Sequence, residues 1–558
     1  MKWNLTKVEN DPIWTTVLKD GQSITWKDFG VGPLTLTDEE RSSIGEKLLK
    51  TKESKLEQVA TQALQPFEGA IDKSLILHST TKDLGAFYGD FTKLKAGLQP
   101  KNYAGYVETR APFLGKAGDL AVGRMAGWKI SATKARVDQL EIPNLSHYYL
   151  SDVLLLLATK HLETPNSTIQ RIINYLKQYP RAVVRLYVLD KSFQIFLTWL
   201  QRQTGLDKIY IDANSPQVAA TWNTKNILYP TVIQAKNIAI LDKNTPYDIL
   251  TKEGQNTLFS DKLGLTPPNL PGYVIQRKNF NEAAFIQQTI EAAQLLVQRY
   301  GLEKACLKAC NSGDGGRITP NIDLKDNTLL SKLAKTAYTY GDDYVLESHV
   351  YYKTTTIGTQ SLNLAPSAHI RSGQLAAGIT LQFTKGASWI GNFFVNEQLA
   401  PKLGISLAYY KSIRQTIGDF LRAIQEQNGG LAIAGMDFAI GQIGGKFGTD
   451  TLLGLQDPNI SFNGAEFLRE FMQRTQVAKG WEMDSFYAAT WVFVPNEICI
   501  HDRLSEILAD KMLPNTYATV VAVVPNFWAM IGVAALDYSL FTRHFENIQH
   551  IIQSDYSK

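Results

Sequence analysis

The sequence predicts an α/β protein in which an open parallel sheet is followed by further structural units. From about residue 141 onward, short apolar runs rich in β-branched residues alternate with helical stretches, which is typical of parallel sheets. Later in the chain, one such run leads directly into a glycine-rich turn. With 558 residues the chain is long enough for several structural units.

The composition favours a folded chain with no nucleic-acid or membrane partner. Hydrophobic residues make up 44% and charged residues 20%, and the net charge is only +4 without a basic run or an acidic tail. Three cysteines are too few for a disulfide framework, and the N-terminus lacks the apolar stretch of a signal peptide. We therefore expect a cytoplasmic protein.

The most apolar segment, Ala518–Leu536, is interrupted by Pro525 and Asn526. Each apolar piece is then too short to cross a bilayer. We interpret the segment as a buried strand followed by a core helix.

The parallel sheet is predicted from a series of short elements. Residues 1 to about 140 are mixed in character and include a charged helical stretch near Asp38–Gln62. Strands are then predicted at the following apolar runs, with a helix at Phe193–Gln203 between the first two: Ala182–Leu189, Lys208–Asp212 and Asn237–Leu241.

A long amphipathic helix is predicted to begin the second unit. Asn279 and Glu282 have capping-box spacing, apolar residues then recur at helical intervals, and Gly301 ends the pattern. A strand, Ala305–Ala309, leads from this helix into the glycine-rich turn.

That strand carries Lys308, and Cys306 and Cys310 are expected on the same face. The turn contains Gly313, Gly315 and Gly316. Small residues let backbone N–H groups approach phosphate oxygens, and a neighbouring lysine supplies a positive charge for a polyphosphate. The same pattern is also compatible with a strand that ends in a glycine turn beside a surface lysine.

A second strand ends in an acid. Asp343–Val350 contains the apolar run that leads to Glu347, which could accept hydrogen bonds from an adenine amino group or a ribose. Taken alone, Glu347 could equally be an ordinary acid at the end of a strand.

Two further strands, Gly435–Ile440 and Leu455–Ser461, are joined by a glycine-rich turn and carry oxygen ligands. Asp457 and Asn459 are two residues apart and leave their strand on one face, where Asp437 of the neighbouring strand could meet them. Two carboxylates and an amide oxygen suit Mg²⁺. A solvated polar edge is the alternative interpretation.

In this order, the segments resemble the ATP-grasp superfamily, and its biotin-carboxylase-like pattern in particular, over about residues 180 to 475. The resemblance implies that ATP is bound by two lysines, the glycine loop, a hinge acid and a polar strand residue, and that Mg²⁺ or Mn²⁺ is bound by an acid and an acid-x-Asn pair. The matching nucleotide positions are Lys262, Lys308, Gly313, Gly315, Gly316, Glu347 and Gln382, and the matching metal positions are Asp437, Asp457 and Asn459.

The sequence departs from this pattern in two places. The superfamily usually has Glu where Asp457 stands, and it often has Arg where this chain has Ser461. That arginine helps to hold phosphate. We expect Arg371 to replace it, so that Arg371 and Lys308 are the two catalytic residues. Arg317 is a second candidate for this role, and the alternative is that Arg371 is an ordinary surface arginine. His369 and His349 are open as general bases or as structural residues.

The resemblance implies an ADP-forming ligase that joins a small carboxylate, such as an amino acid or peptide, to an amine through an acylphosphate. Lys308→Ala is expected to remove most turnover and leave the fold intact. A homodimer is compatible with this prediction. Carboxylation, thioester formation and nucleotide binding without turnover remain open alternatives.

The fold class implied is a pre-ATP-grasp open parallel sheet followed by an ATP-grasp fold of two α+β subdomains that clamp ATP. The expected division is an N-terminal extension (1–140), a pre-ATP-grasp domain (141–265), a subdomain with the glycine loop (266–345), a subdomain with the metal site (346–475) and a C-terminal extension (476–558).

Overall fold

The structure is a computed structural model, and it describes most of the chain in separate stretches. These are residues 36–78, 106–123, 131–141, 150–163, 167–222, 247–249, 270–277, 280–310, 317–385, 388–427, 429–493, 501–524 and 528–555. The predicted strand at Asn237–Leu241 lies outside them.

The first sheet is parallel and has six strands in the order β1-β6-β5-β2-β3-β4. Its strands are β1 (Leu64–Pro66), β2 (Ser74–Ile76), β3 (Leu120–Gly123), β4 (Asp138–Glu141), β5 (Val183–Arg185) and β6 (Ile209–Asp212). The helices of this region are α1 (Asp38–Leu49), α2 (Leu56–Ala63), α3 (Leu150–Glu163), α4 (Ser167–Gln178), α5 (Lys191–Thr204) and α6 (Pro216–Trp222).

Local signals in the sequence explain why α5 begins and ends where it does. The Asp190 side chain accepts a hydrogen bond from the backbone N–H of Phe193 at 2.8 Å, and Gly205 ends the helix with φ of 71°. The helix begins two residues before and ends one residue after the predicted Phe193–Gln203.

The strand order of the parallel sheet reverses between β2 and β5. Arg185 ends β5 and Asp212 ends β6, so both lie at the carboxyl edge of the sheet near the point where the order reverses.

The second sheet is antiparallel and has five strands in the order β10-β9-β11-β8-β7. Its strands are β7 (Tyr247–Ile249), β8 (Gly272–Ile275), β9 (Lys304–Ala309), β10 (Ile318–Asp323) and β11 (Tyr344–Ser348), and the helices α7 (Glu282–Tyr300) and α8 (Asn327–Thr339) belong to the same unit. The cap of α7 is Asn281, which accepts from Ala284 N–H at 2.9 Å, and not the predicted Asn279, which lies outside the described residues. Gly301 ends the helix as predicted, with φ of 66°.

The third sheet has ten strands, with the order β12-β19-β15-β17-β18-β21-β23-β22 plus β16 beside β15 and β20 beside β19. The strands, with the separate hairpin β13–β14, are β12 (Tyr351–Tyr352), β13 (Thr354–Ile357), β14 (Gln360–Asn363), β15 (Pro366–Arg371), β16 (Gln374–Leu375), β17 (Ile379–Lys385), β18 (Ser388–Val395), β19 (Ala434–Gln442), β20 (Leu452–Asn459), β21 (Tyr487–Phe493), β22 (Thr516–Val524) and β23 (Trp528–Ala535). The helices are α9 (Leu407–Gln427), α10 (Ala465–Lys479), α11 (His501–Asp510) and α12 (Tyr538–Asp555).

Strand β15 of the ten-stranded sheet has an apolar face and a polar one. Ala368 and Ile370 of β15 belong to the apolar core that also contains residues of α9 and α12. Ser367, His369 and Arg371 alternate with them and therefore leave the opposite face. On that side, Phe467 and Phe471 of α10 join the core of the parallel sheet, so α10 lies between the two sheets.

The prediction for the apolar segment 518–536 is wrong in its second half. The segment forms two paired strands, β22 and β23, and no core helix. Because β23 is a buried strand, its sequence is apolar on both faces, and such a run has no period that would separate a strand from a helix. No helix within the described ranges is long and apolar enough to cross a membrane.

The predicted fold class is confirmed in its α/β character and in its order, a parallel sheet followed by antiparallel sheets. Strands that come before residue 142 form part of the parallel sheet, and strands that come after residue 476 belong to the ten-stranded sheet. The predicted divisions at 140 and 475 therefore each have strands of one sheet on both sides. At the first division the strands have only three or four residues, which gives too little pattern to be seen in the sequence.

A candidate nucleotide and metal site between the antiparallel sheets

Strand β9 presents Lys308 on the face opposite its apolar core. Ala305, Leu307 and Ala309 belong to that core. Period-two alternation therefore places Lys308 on the other face together with Cys306, as the sequence predicts, and Cys310 follows directly after the end of the strand. Cys306 is partly exposed, whereas Cys310 is buried.

Lys308 connects the five-stranded sheet to the ten-stranded sheet. Its ammonium group forms an ion pair with Glu347 of the neighbouring strand β11, with 2.6 Å between Nζ and Oε1. The two side chains are only 4% and 3% exposed. Lys308 Nζ also donates a hydrogen bond to the backbone carbonyl of Gln456 on β20. The lysine therefore lies beside the residue that precedes Asp457.

The position of Glu347 depends on a glycine in the next strand. Gly272 of β8 is its cross-strand partner, and a Cβ atom at position 272 would lie 2.7 Å from the Glu347 Cβ and 2.9 Å from the Leu346 carbonyl oxygen. A side chain there would force the two strands apart. In this structure the Glu347 carboxylate is engaged by Lys308, so contact with an adenine or a ribose remains a prediction.

The predicted metal residues lie together on β19 and β20. Asp437 and Asp457 are direct cross-strand partners, and Asn459 Nδ2 lies 3.4 Å from Asp437 Oδ2. All three side chains are partly exposed, at a point where the strand register shifts by a bulge. Bulges are frequent next to active sites because they redirect side chains.

The donor chemistry at this point fits Mg²⁺. Among the described residues, no three His, Cys, Asp or Glu side chains form a group that could hold a metal alone. Two carboxylates and one amide oxygen instead leave coordination positions for water and phosphate, which is how Mg²⁺ is commonly bound. The Asn459 amide would have to turn its oxygen toward the ion.

Gln382 lies near Asp437 through a shared serine. Ser367 of β15 donates a hydrogen bond from its hydroxyl to Asp437 Oδ1, and Gln382 Nε2 lies 3.4 Å from the same hydroxyl. The polar strand residue that the resemblance names is thus brought to the candidate metal site.

The predicted replacement for the missing arginine lies elsewhere. Arg371 pairs with Asp212 at 2.7 Å from Nη1 and with Glu466 at 3.1 Å from Nε. Arg317 pairs with Asp342 and lies over the Tyr340 ring. Ser461 Oγ faces the Phe462 carbonyl at 3.4 Å. Lys262 and the glycine loop with Gly313, Gly315 and Gly316 lie outside the described residues.

Comparison with solved structures finds matches at low TM-scores. An ADP complex of N5-carboxyaminoimidazole ribonucleotide synthetase aligns with 11% identity over 88% of this chain and 99% of that chain, at a TM-score of 0.43. D-alanyl-alanine synthetase A from Vibrio cholerae aligns with 11% identity over 52% of this chain and 71% of that chain, at 0.32.

An ATP-grasp superfamily protein from Archaeoglobus fulgidus aligns with 7% identity over 76% of this chain and 93% of that chain, at a TM-score of 0.32. No family model and no curated protein matches the chain.

Sequence reasoning missed three residues that shape the site. Gln456 contributes its carbonyl to Lys308 and its side chain to Tyr352, whose hydroxyl donates to Gln456 Oε1 at 2.7 Å. Burial raises the pKa of Tyr352 to about 12, so the hydroxyl stays protonated as a donor. Ser367 is the third. Only its alternation with Ala368 in an apolar strand could have indicated a residue on the polar face.

The environment of each of the two candidate histidines disfavours the protonated form of the ring. Burial lowers the pKa of His369 well below its ordinary value, and Arg469 lowers it further. Burial and Lys304 lower the pKa of His349. His369 Nε2 lies 3.0 Å from Thr380 Oγ1, within the polar face of the sheet, and both histidines would be neutral near pH 7.

Proposed function

We propose that the protein is an ATP-dependent ligase of the ATP-grasp type that activates a small carboxylate and joins it to an amine. The observation that carries the proposal is the contact of Lys308 with β20. This contact joins a buried lysine of one sheet to the residue that precedes Asp457, and Asp457 is the cross-strand partner of Asp437 in the other sheet. A cation next to a strand pair that carries two acids suits a magnesium-bound polyphosphate.

Each group would have a separate role. Lys308 would leave Glu347 in part and hold phosphate oxygens, and Glu347 would then be free to accept hydrogen bonds from the nucleoside. Asp437, Asp457 and Asn459 would hold Mg²⁺, which withdraws charge from the γ-phosphoryl group when bound. Lys262 would contact ATP, and Gly313, Gly315 and Gly316 would cover its phosphates with backbone N–H groups.

The reaction needs no nucleophile from the protein. A substrate carboxylate oxygen attacks the γ-phosphorus, ADP leaves, and an acylphosphate remains. The amine then attacks the acyl carbon, phosphate leaves, and the amine loses a proton. The protein aligns the reactants, neutralises charge and excludes the water that would hydrolyse the acylphosphate. On this proposal residues 266–345 and 346–475 are the two parts that enclose ATP.

Isotope transfer tests the proposal directly. The protein would be mixed with MgATP, pooled amines and a pool of small carboxylic acids carrying ¹⁸O in the carboxylate, and the released phosphate analysed by mass spectrometry. We expect one ¹⁸O per phosphate, because the acyl–oxygen bond breaks in the second step. Phosphate without ¹⁸O would contradict acylphosphate formation.

The same assay separates the alternative chemistries. Transfer of ¹⁸O from labelled bicarbonate, with no transfer from the acids, would indicate carboxylation. Transfer that requires a thiol in place of an amine would indicate thioester formation. ATP binding without phosphate release under any condition would indicate a nucleotide-binding module.

A further inference from the structure

The geometry assigns Arg371 a positioning role: it holds the metal-bearing sheet against the parallel sheet through Asp212 and Glu466. This inference rests on the proposed function for its effect on turnover, but the contacts themselves do not depend on it. Arg371 would then be neither a phosphate ligand nor a surface arginine.

The contacts of Arg371 occupy both sides of its guanidinium. Nη1 and Nη2 donate to the two oxygens of Asp212 at 2.7 Å each, and Nε lies 3.1 Å from Glu466 Oε2. Asp212 ends β6 of the parallel sheet, Arg371 ends β15 of the ten-stranded sheet, and Glu466 lies in the first turn of α10. One side chain therefore joins three elements from two parts of the protein.

The surrounding charges complete a buried network. Arg185 at the end of β5 donates from Nε to Asp212 at 3.0 Å, and its Nη1 lies 3.4 Å from Glu470 of α10. Burial alone would raise the pKa of Asp212, but Arg371 and Arg185 outweigh burial and lower it. Removal of Arg371 would leave Asp212 with Arg185 as its remaining partner and would take the Arg371 ion pair from Glu466, in an environment where an uncompensated charge is costly.

Strand β15 links this network to the candidate metal site. Ser367, which donates to Asp437, and Arg371 lie on the same face of β15, four residues apart. At about 3.3 Å per residue, Arg371 is roughly 13 Å from Ser367 along the strand. A rigid strand transmits a displacement over this distance, because packed sheets shift as units.

A phosphate clamp does not fit these contacts. Arg371 would have to leave Asp212 or Glu466, both of which are at most 2% exposed, before it could bind a phosphate. Its separation from Ser367 also places it away from the point where Asp437 meets Asp457. If Arg371 acts through this network, the loss of Asp212 should lower turnover as much as the loss of Arg371. If Arg371 binds phosphate, only the loss of Arg371 should lower turnover.

A double-mutant cycle tests the assignment. The variants are Arg371→Met, Asp212→Asn and the double variant, with Arg371→Lys as the conservative replacement. Arg422→Met is a matched control, because Arg422 is an exposed arginine that pairs with Asp419 on the same helix. Phosphate release from ATP, the Mg²⁺ concentration for half-maximal rate and ATP affinity without Mg²⁺ would be measured for each.

We expect Arg371→Met and Asp212→Asn each to lower kcat by about tenfold or more and to raise the Mg²⁺ requirement. Either variant would displace β15 and with it Ser367, the hydrogen-bond partner of Asp437, and loss of such a partner of a metal ligand typically has an effect of this size. The double variant should be no worse than either single variant. ATP affinity without Mg²⁺ should stay within about twofold, Arg371→Lys should recover part of the rate, and Arg422→Met should match the wild type. Full turnover in Asp212→Asn, with a large loss only in Arg371→Met, would overturn the assignment in favour of a clamp.

Amide hydrogen exchange keeps the inference testable if the wild type does not turn over ATP, an outcome that would count against the proposed function alone. We expect Asp212→Asn and Arg371→Met to accelerate exchange in both β15 and β19. Unchanged exchange in those strands in both variants would overturn the positioning role.

Discussion

Lys308 and Glu347 form a buried ion pair whose members are expected to separate when a nucleotide binds. Desolvation makes such a pair a weak source of stability, but loss of one partner leaves the other charge buried and uncompensated. At the scale of single residues, the Lys308 ammonium group pairs with the Glu347 carboxylate and donates to a carbonyl of the neighbouring sheet. In our proposal the same group also binds a phosphate, so a change at Lys308 affects both folding and function.

We predict that Lys308→Ala removes most turnover and also destabilises the protein by about 3–5 kcal/mol, because Glu347 loses its partner. The double variant Lys308→Met/Glu347→Gln should recover most of this stability, while turnover stays at least 100-fold below the wild type. Urea unfolding and phosphate release measure the two effects. Wild-type turnover in the double variant would contradict the role of Lys308.

This stability effect could not be predicted from the sequence. The glycine loop after β9 indicates Lys308 as a phosphate ligand, and on that basis Lys308→Ala was expected to leave the fold intact. The partner Glu347 is 39 residues away, and its contact with Lys308 follows from the register of β9 on β11, which no local pattern records. The structure therefore changes the prediction for the fold but not for turnover.

Cys306 offers a probe of nucleotide binding that does not depend on turnover. It is partly exposed and lies on the same face of β9 as Lys308, whereas Cys310 is buried. We predict that saturating MgATP slows alkylation of Cys306 by iodoacetamide several-fold, as measured by peptide mass spectrometry. Magnesium chloride alone is the control. An equal labelling rate with and without ATP would count against a nucleotide at this face.

Asp190 should make stability depend on pH far from the candidate site. Burial and the neighbouring Asp152 raise the pKa of Asp190 from 3.8 to about 6. A carboxyl whose pKa is raised by folding stabilises the fold below its unfolded pKa, and this stability is lost as the pH rises through about 6. The loss attributable to Asp190 is about 2 kcal/mol between pH 4 and pH 7.

Asp190→Asn keeps an N-cap acceptor for α5 and removes the titration. We expect the variant to be more stable than the wild type at pH 7, with a smaller difference at pH 4. Thermal unfolding at both pH values measures the difference. A variant that is less stable at pH 7 would show that Asp190 remains charged and favourable in the folded protein.

At the scale of elements, the pair β19–β20 holds the candidate metal ligands in place. Asp437 and Asp457 are direct cross-strand partners, and Asn459 approaches Asp437 from two residues further along. The sequence indicates that Asp457 and Asn459 leave one face of their strand, because the two residues are two positions apart. The contact of Ser367 with Asp437 cannot be predicted in this way, because β15 and β19 are far apart in the sequence and pair only in the folded sheet.

We predict that Asp457→Asn or Asn459→Ala raises the Mg²⁺ requirement by tenfold or more, in line with typical losses at metal sites, and lowers turnover. The affinity for ATP without Mg²⁺ should change little. Asp450→Asn is a matched control, because Asp450 is exposed in the turn before β20. Activity that persists in excess chelator would contradict the metal role.

At the scale of the whole molecule, the candidate site exists only because two antiparallel sheets meet. One supplies Lys308 and Glu347, the other supplies the metal ligands, and the parallel sheet holds the second of these through Asp212 and Arg371. The order of the units could be predicted from alternating strands and helices. The partner of Arg371 could not, because Asp212 is 159 residues away and the contact follows from how α10 and β15 meet the parallel sheet.

The coupling between metal and nucleotide tests the central claim most directly. Mn²⁺ binding would be followed by electron paramagnetic resonance with and without ATP, in the wild type, in Asp457→Asn and in Lys308→Met/Glu347→Gln. If ATP bridges the two sheets, it should raise the affinity for Mn²⁺ in the wild type by about tenfold or more, and both variants should lose this gain. Equal Mn²⁺ affinity with and without ATP in the wild type, or a full gain in both variants, would contradict a shared site between Lys308 and Asp457.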